Sequence, residues 1–126
     1  MMEKKRNILI IEDDPDISGM IKMILEHKGY TALVLQNTAR INEVMKNSRV
    51  DVLIMDMFLS GANGTDICAA IKKDDSLAHI PLIMMSAYPD AESICKNAGA
   101  DDFVCKPFDL DNLFFKIDHF TALEKL

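Results

Sequence analysis

Short apolar runs alternate with segments of helical period along the whole chain, and few architectures accept that alternation. The runs fall at Asn7 to Glu12, Thr31 to Gln36, Asp51 to Asp56, Pro81 to Ser86 and Asp102 to Lys106. Each is nearly continuous in hydrophobicity, the pattern of strands covered on both faces, where no side is left for water. Between them a 3.6-residue period appears at Ile17, Met20, Ile21, Ile24 and Leu25, then at Ile41, Val44 and Met45. It returns at Ile67, Ala70 and Ile71, at Ala91, Ile94, Cys95 and Ala98, and at Leu110, Leu113, Phe114 and Ile117. Strand and helix in strict alternation build parallel βαβ units, so the expected class is α/β, an open sheet of five parallel strands between helices. The third and fourth strands, rich in Ile, Leu and Met, are the expected central ones. The fourth helix, ended by Gly99 as a left-handed cap, is the weakest element. Phe115, Phe120 and Leu123 stand partly off the core stripe of the last helix and leave its outer side apolar.

At 126 residues, with 49% hydrophobic and 27% charged residues, the chain has the balance of one globular domain. No linker or repeat divides it, so one domain over 1–126 is expected, with its core at about 7–124. A net charge of -6 disfavours nucleic acid and anionic membrane as direct partners, since both reward clustered Lys and Arg. The apolar stretch after the basic start is only Ile8 to Ile11, far short of a signal-peptide core, and no run approaches the ~20 residues of a membrane helix. The cytoplasm is the expected location. Cys68, Cys95 and Cys105 share no C-x-x-C spacing and read as reduced thiols.

In an open parallel sheet the carboxyl ends of all strands meet at one edge, where ligands bind at the topological switch point. Glu12 and Asp13, Asp56, Ser86 and Lys106 all fall at such ends. Asp14 is set apart, because Asp14-Pro15 reads as a helix N-cap followed by proline at the first helical position. Asp16 reads as a first-turn acid that favours the helix dipole. Asp51, Asp101 and Asp102 fall at the opposite edge and read as turn residues. Three carboxylates at one edge repel, each close pair by about 4 kcal/mol at an effective dielectric near 20. A hard divalent cation, Mg²⁺ above all, suits that ligand set, and Lys106 supplies a further positive charge. A carboxylate, a metal site and a lysine around one open position are equipment for placing a phosphoryl group on an aspartate.

Motif by motif, the chain resembles the receiver domain of two-component response regulators over essentially its whole length. Ile8-Leu9-Ile10-Ile11-Glu12-Asp13-Asp14 resembles the opening strand and acidic pair, and Asp51 to Gly64 the strand and loop around the phosphoacceptor. Ser86-Ala87 and Gly99 to Phe108 complete the likeness. The resemblance implies a flavodoxin-like doubly wound (βα)5 three-layer sandwich with strand order 2-1-3-4-5. It implies that Asp56 accepts a phosphoryl group and that Asp13, Asp56 and the backbone carbonyl of Phe58 hold Mg²⁺, with Glu12 acting mostly through metal-bound water. Ser86 and Lys106 would then contact phosphoryl oxygens, and Phe103 would turn inward as the switch when Ser86 is drawn to the phosphate. The Lys106-Pro107 bond is expected to be cis.

The partners implied are a sensor histidine kinase or a histidine phosphotransfer protein as donor and a downstream protein as listener. A homodimer is one assembly the resemblance allows. His27, His79 and His119 stand apart from the acidic cluster, so a separate donor is expected. No basic DNA-binding segment follows the last helix, so two readings stand: a stand-alone receiver acting through protein contact, or a piece cut from a longer regulator; in either the expectation is a switch with only self-directed phosphotransfer and autodephosphorylation.

Three departures from the family pattern matter. Ser60 replaces a frequent proline, the stretch from Ser86 to Lys106 is slightly short, and Phe58 and Tyr88 are bulky two residues beyond site positions. The last implies shielding of the phosphoryl group and slow autodephosphorylation. Two other readings stand beside this one, a receiver-like interaction module that is never phosphorylated and a phosphohydrolase of the haloacid-dehalogenase kind. The latter needs a second Asp where Phe58 stands. A dinucleotide site is disfavoured, since no G-x-G-x-x-G follows the first strand.

Overall fold

The computed structural model describes residues 5–59, 61–107 and 109–123. In chain order these form β1 (Asn7–Ile11), α1 (Pro15–His27), β2 (Thr31–Leu35), α2 (Ile41–Asn47), β3 (Val52–Asp56), β4 (Phe58–Leu59) and β5 (Ala62–Asn63). Then come α3 (Gly64–Lys73), β6 (Leu82–Ser86), α4 (Ala91–Asn97), β7 (Asp102–Cys105) and α5 (Leu110–Leu123). The main sheet is parallel throughout in the order β2-β1-β3-β6-β7, the 2-1-3-4-5 order expected. Strand order reverses at β1, so the crevice beyond β1 and β3 is the switch point.

Alternate residues of each strand feed two cores. Leu9, Ile11, Leu53, Met55, Leu82, Met84 and Phe103 face α2, α3 and α4, where they pack with Val44, Met45, Cys68, Ile71 and Cys95. Ile8, Ile10, Val52, Ile54, Ile83, Met85 and Val104 face α1 and α5, where they meet Ile21, Leu25, Leu113, Phe114 and Ile117. Both faces being covered explains the unbroken apolar runs, each large side chain contributing about 1.5–3 kcal/mol by burial. Cys68, Cys95 and Cys105 are free thiols, and burial pushes the Cys68 thiol up to about 11. No helix among the described residues is long and apolar enough to cross a membrane.

Asp14 caps α1 as expected, accepting from the backbone N–H of Asp16 at 2.9 Å and Ile17 at 3.4 Å, with Pro15 opening the helix. Gly99 sits at φ 109°, and the Ala100 and Gly99 N–H groups close α4 onto Cys95 and Lys96 carbonyls. That is a Schellman closure. Lys106-Pro107 is cis, as expected.

Other expectations need correction. Strand boundaries shift by one residue: Glu12, Gln36 and Lys106 follow strands, and Asp51 and Pro81 precede them. Ladder hydrogen bonding still reaches Glu12, whose N–H donates to the Leu35 carbonyl at 3.2 Å, and Lys106, whose N–H donates to that of Ser86 at 2.7 Å. The helical period places Met20 and Ile94 on core faces, yet they are 39% and 51% exposed, because α1 buries Ser18, Ile21 and Leu25 and α4 only Ala91 and Cys95. Phe120 packs against the α1/α5 core, while Phe115 is exposed. Asp51 is no solvated turn residue: it is buried, accepting the Asn7 N–H at 2.7 Å and Arg49 Nε at 3.1 Å. Asp101 likewise accepts the Leu82 N–H at 2.8 Å and Lys72 Nζ at 2.7 Å, and Asp102 pairs with Lys116 at 2.8 Å. These contacts pin the edge opposite the site. The hairpin β4–β5 has no counterpart in the sequence pattern, and Ser60 lies outside the described residues.

Candidate functional site

Asp56 ends β3, a strand buried on both faces, and its side chain emerges at the switch-point edge still largely shielded from solvent. Parallel register sets its neighbours: Ile11 lies opposite Met55, Asp56 opposite Met85, and Ser86 opposite Cys105. The residues that follow β1 and β7 therefore reach the same crevice. Lys106 Nζ lies 2.7 Å from Asp56 Oδ2 and 3.1 Å from Glu12 Oε1, while Asp56 Oδ1 accepts the Phe58 N–H at 3.1 Å.

Glu12 is only 1% exposed, and its Oε2 is buried with no hydrogen-bond partner. Burial, with the Asp56 carboxyl beside it, raises its pKa from 4.5 to about 8 against the opposing pull of Lys106. Burial would lower the Lys106 pKa, but its hydrogen bonds to Asp56 and Glu12 outweigh that and raise it. An acid held this far from its ordinary value beside an orphaned oxygen marks a place short of positive charge.

Glu12, Asp13 and Asp56 each offer a carboxylate oxygen, all within 4.8 Å of one another. The donors are all oxygen, with no thiolate or imidazole in the group, which fits Mg²⁺ and no soft metal. The orphaned Oε2 is the local reason a cation belongs there.

Ser86 ends β6, buried, and its Oγ accepts the Tyr88 N–H at 3.1 Å. A hydroxyl that accepts one bond keeps its own proton to donate. Phe103 stands on β7 opposite Met84 and is buried, its ring already inward on the α2–α4 side. His27, His79 and His119 contribute nothing to the acidic group.

Sequence reasoning missed Gly64. A Cβ there would lie 2.5 Å from the Asp56 carbonyl oxygen and 2.8 Å from that of Met57, and the Gly64 N–H donates to the Met57 carbonyl at 2.7 Å. Only glycine lets α3 start this close behind the end of β3. The available signal was its place after Asn63, whose side chain caps α3 by accepting the Thr65 N–H at 2.9 Å. The contact between the Phe58 and Tyr88 rings also escapes a reading of spacing, with centroids 5.7 Å apart and planes at 84°.

Residues 8–118 match the family model described as the response regulator receiver domain. Among curated relatives, the phosphate regulon transcriptional regulatory protein PhoB of Pseudomonas aeruginosa is 32% identical over 82% of this chain and 46% of its own length. The DNA-binding response regulator MtrA of Mycolicibacterium smegmatis is 29% identical over 82% of this chain and 45% of its own. The chain thus spans about half the length of these relatives. Among solved structures, the signal receiver domain of a signal transduction histidine kinase from Syntrophus aciditrophicus has 28% identity and a TM-score of 0.84, covering 93% of this chain and 90% of that one. A putative response regulator from Chloroflexus aurantiacus, 24% identical with a TM-score of 0.89, covers 94% and 99% and shows the shared fold.

Proposed function

Since the chain belongs to the response regulator receiver domain family, we propose that Asp56 is the phosphoacceptor of this two-component signalling switch. The observation that carries the proposal is the meeting of Asp56, Lys106 and Glu12 in one buried cluster that leaves a Glu12 oxygen without a partner.

The Asp56 carboxylate attacks phosphorus in line, an O–P bond forms, and the P–N bond of a donor phosphohistidine breaks as the imidazole departs. Lys106, already on Asp56 Oδ2, moves little to meet a phosphoryl oxygen. Ser86 donates its free proton to another. The Phe58 N–H holds Asp56 Oδ1 and so fixes the carboxylate plane before attack. Asp13, Asp56 and the Phe58 carbonyl would hold Mg²⁺, with Glu12 contacting it mostly through water, and the ion would offset the charge gathered on carboxylate and phosphoryl oxygens. Phosphorylation draws the Ser86 hydroxyl toward the phosphoryl group, and the layer around Phe103 and α4 carries that movement to the surface. The donor is a phosphohistidine of a sensor kinase or phosphotransfer protein, the listener a downstream protein, and both act in the cytoplasm.

Incubation with acetyl phosphate and Mg²⁺, followed by intact mass measurement, tests the proposal. Wild type is expected to gain one phosphoryl group and Asp56→Asn none. Equal labelling of both would overturn the assignment. No labelling of either would favour an unphosphorylated interaction module, and continuous turnover of phosphoesters a hydrolase.

A further inference from the structure

A cavity beside the site carries an inference that rests on Asp56 being the phosphoacceptor. It measures about 350 Å³ and opens between α1 and the residues that follow β6 and β7, lined by Ile17, Met20, Ala87, Lys106 and Pro107. Among the described residues that line it, only Lys106 is charged, and its Nζ lies 2.7 Å from Asp56 Oδ2. Cavity and phosphoacceptor therefore share one cation. Ile17 packs its inner side against the α1/α5 core, but Met20 is 39% exposed, because α1 turns Ser18, Ile21 and Leu25 inward. Core packing thus does not account for the apolar wall that Met20 presents. Apolar walls with one fixed polar group are the make-up of small-ligand sites, and this volume stands near the lower end of their range of about 300–1,000 Å³. The charge and shape together fit a small anion that carries a short hydrocarbon tail.

We propose that this cavity is a subsite for the tail of an acyl phosphate, so that acyl phosphates longer than acetyl phosphate are the preferred small-molecule donors to Asp56. The phosphoryl oxygens meet Lys106, and the tail lies along Ile17, Met20, Ala87 and Pro107. An Asp56 oxygen bonds to phosphorus, the bond between phosphorus and the acyl oxygen breaks, and the electron pair leaves on the departing carboxylate. No proton moves. A held tail shelters its methylenes from water and keeps the leaving oxygen in line, each methylene contributing a factor of about three to four.

The test measures initial rates of labelling by intact mass, with Mg²⁺ and equal low concentrations of acetyl phosphate or butyryl phosphate. Their leaving carboxylates are nearly equal in basicity, and loss of label is common to both, so the ratio of rates reports the tail. Wild type should label about three- to fifteenfold faster with butyryl phosphate, which carries two more methylenes. Met20→Ala should lower that ratio about two- to fourfold, while Met20→Leu, which keeps an apolar wall, should preserve it. Met23→Ala, on the same helix but outside the cavity, should also preserve it. A wild-type ratio near one would overturn the subsite and leave the cavity as part of a face for a protein donor. An undiminished ratio in Met20→Ala, or an equal fall in Met23→Ala, would overturn it as well. Failure of wild type to take label from either donor, or equal labelling of Asp56→Asn, would instead overturn the phosphoacceptor reading beneath it.

Discussion

Replacing Glu12 by glutamine should stabilise the metal-free protein while weakening its hold on Mg²⁺. Burial and the Asp56 carboxyl raise the Glu12 pKa from 4.5 to about 8, so between those values the folded state keeps a proton that the unfolded chain has released. The unfolded state then binds fewer protons, and stability falls as pH rises through the window. The contribution is fully present below about 4.5 and gone above about 8. At pH 7 the span covered is about 2.5 pKa units, or about 3 kcal/mol at roughly 1.4 kcal/mol per unit. Lys106, whose pKa is raised, stays charged throughout and adds no slope in this interval. The glutamine side chain would have no proton to lose. Its amide oxygen can still accept from Lys106, and its NH₂ can donate to Asp56 in place of the orphaned Oε2. Denaturant unfolding in chelator across pH 5 to 8 should therefore show Glu12→Gln more stable than wild type by up to about 3 kcal/mol at pH 7, with the gap widening slightly toward pH 8 and closing toward acid. Added Mg²⁺ should reverse the order at pH 8, because the cation takes the place of the proton on wild type alone. Parallel pH profiles of the two proteins, or a less stable variant at pH 8 without metal, would refute the reasoning.

Lys106→Met removes the cation 2.7 Å from Asp56, and metal-free stability should drop by about 3 kcal/mol, partly restored by Mg²⁺, with acceptance from acetyl phosphate sharply reduced. Thermal unfolding with and without Mg²⁺ and intact mass report both effects. Gly64→Ala forces a methyl to within 2.5 Å of the Asp56 carbonyl oxygen; a loss of about 1–3 kcal/mol and slower labelling should follow, read by the same pair of assays. Asp14→Ala loses the α1 cap and should cost about 1 kcal/mol in denaturant unfolding, with labelling of Asp56 unchanged.

Much of this was legible because a doubly covered parallel sheet writes itself into a chain as unbroken apolar runs. Ile8 to Ile11 and Leu82 to Met85 could scarcely sit elsewhere than in a buried strand. The site was legible for the same reason, since parallel strands deliver Asp56, Ser86 and the residues after β1 and β7 to one edge. What stayed hidden depends on contacts rather than period. Two-residue strands such as β4 and β5 are too short to show alternation. Met20 and Ile94 obey the helical period yet stay 39% and 51% exposed, which the period alone does not reveal. Asp51 looks like any turn aspartate until the Asn7 N–H, far away in sequence, is placed against it. The orphaned Glu12 oxygen and the Phe58–Tyr88 contact arise from side-chain reach across strands, which spacing does not encode.

The central claim is that a phosphoryl group resides on Asp56, and the most direct measurement places it there chemically. Wild type labelled from acetyl phosphate with Mg²⁺ is treated with borohydride, which reduces an acyl phosphate to an alcohol, and the digested peptides are sequenced by mass. The reduced side chain is expected at position 56, in Mg²⁺-dependent yield. Reduction at Glu12, Asp13 or any other carboxyl, or labelling that persists undiminished in chelator, would contradict the account.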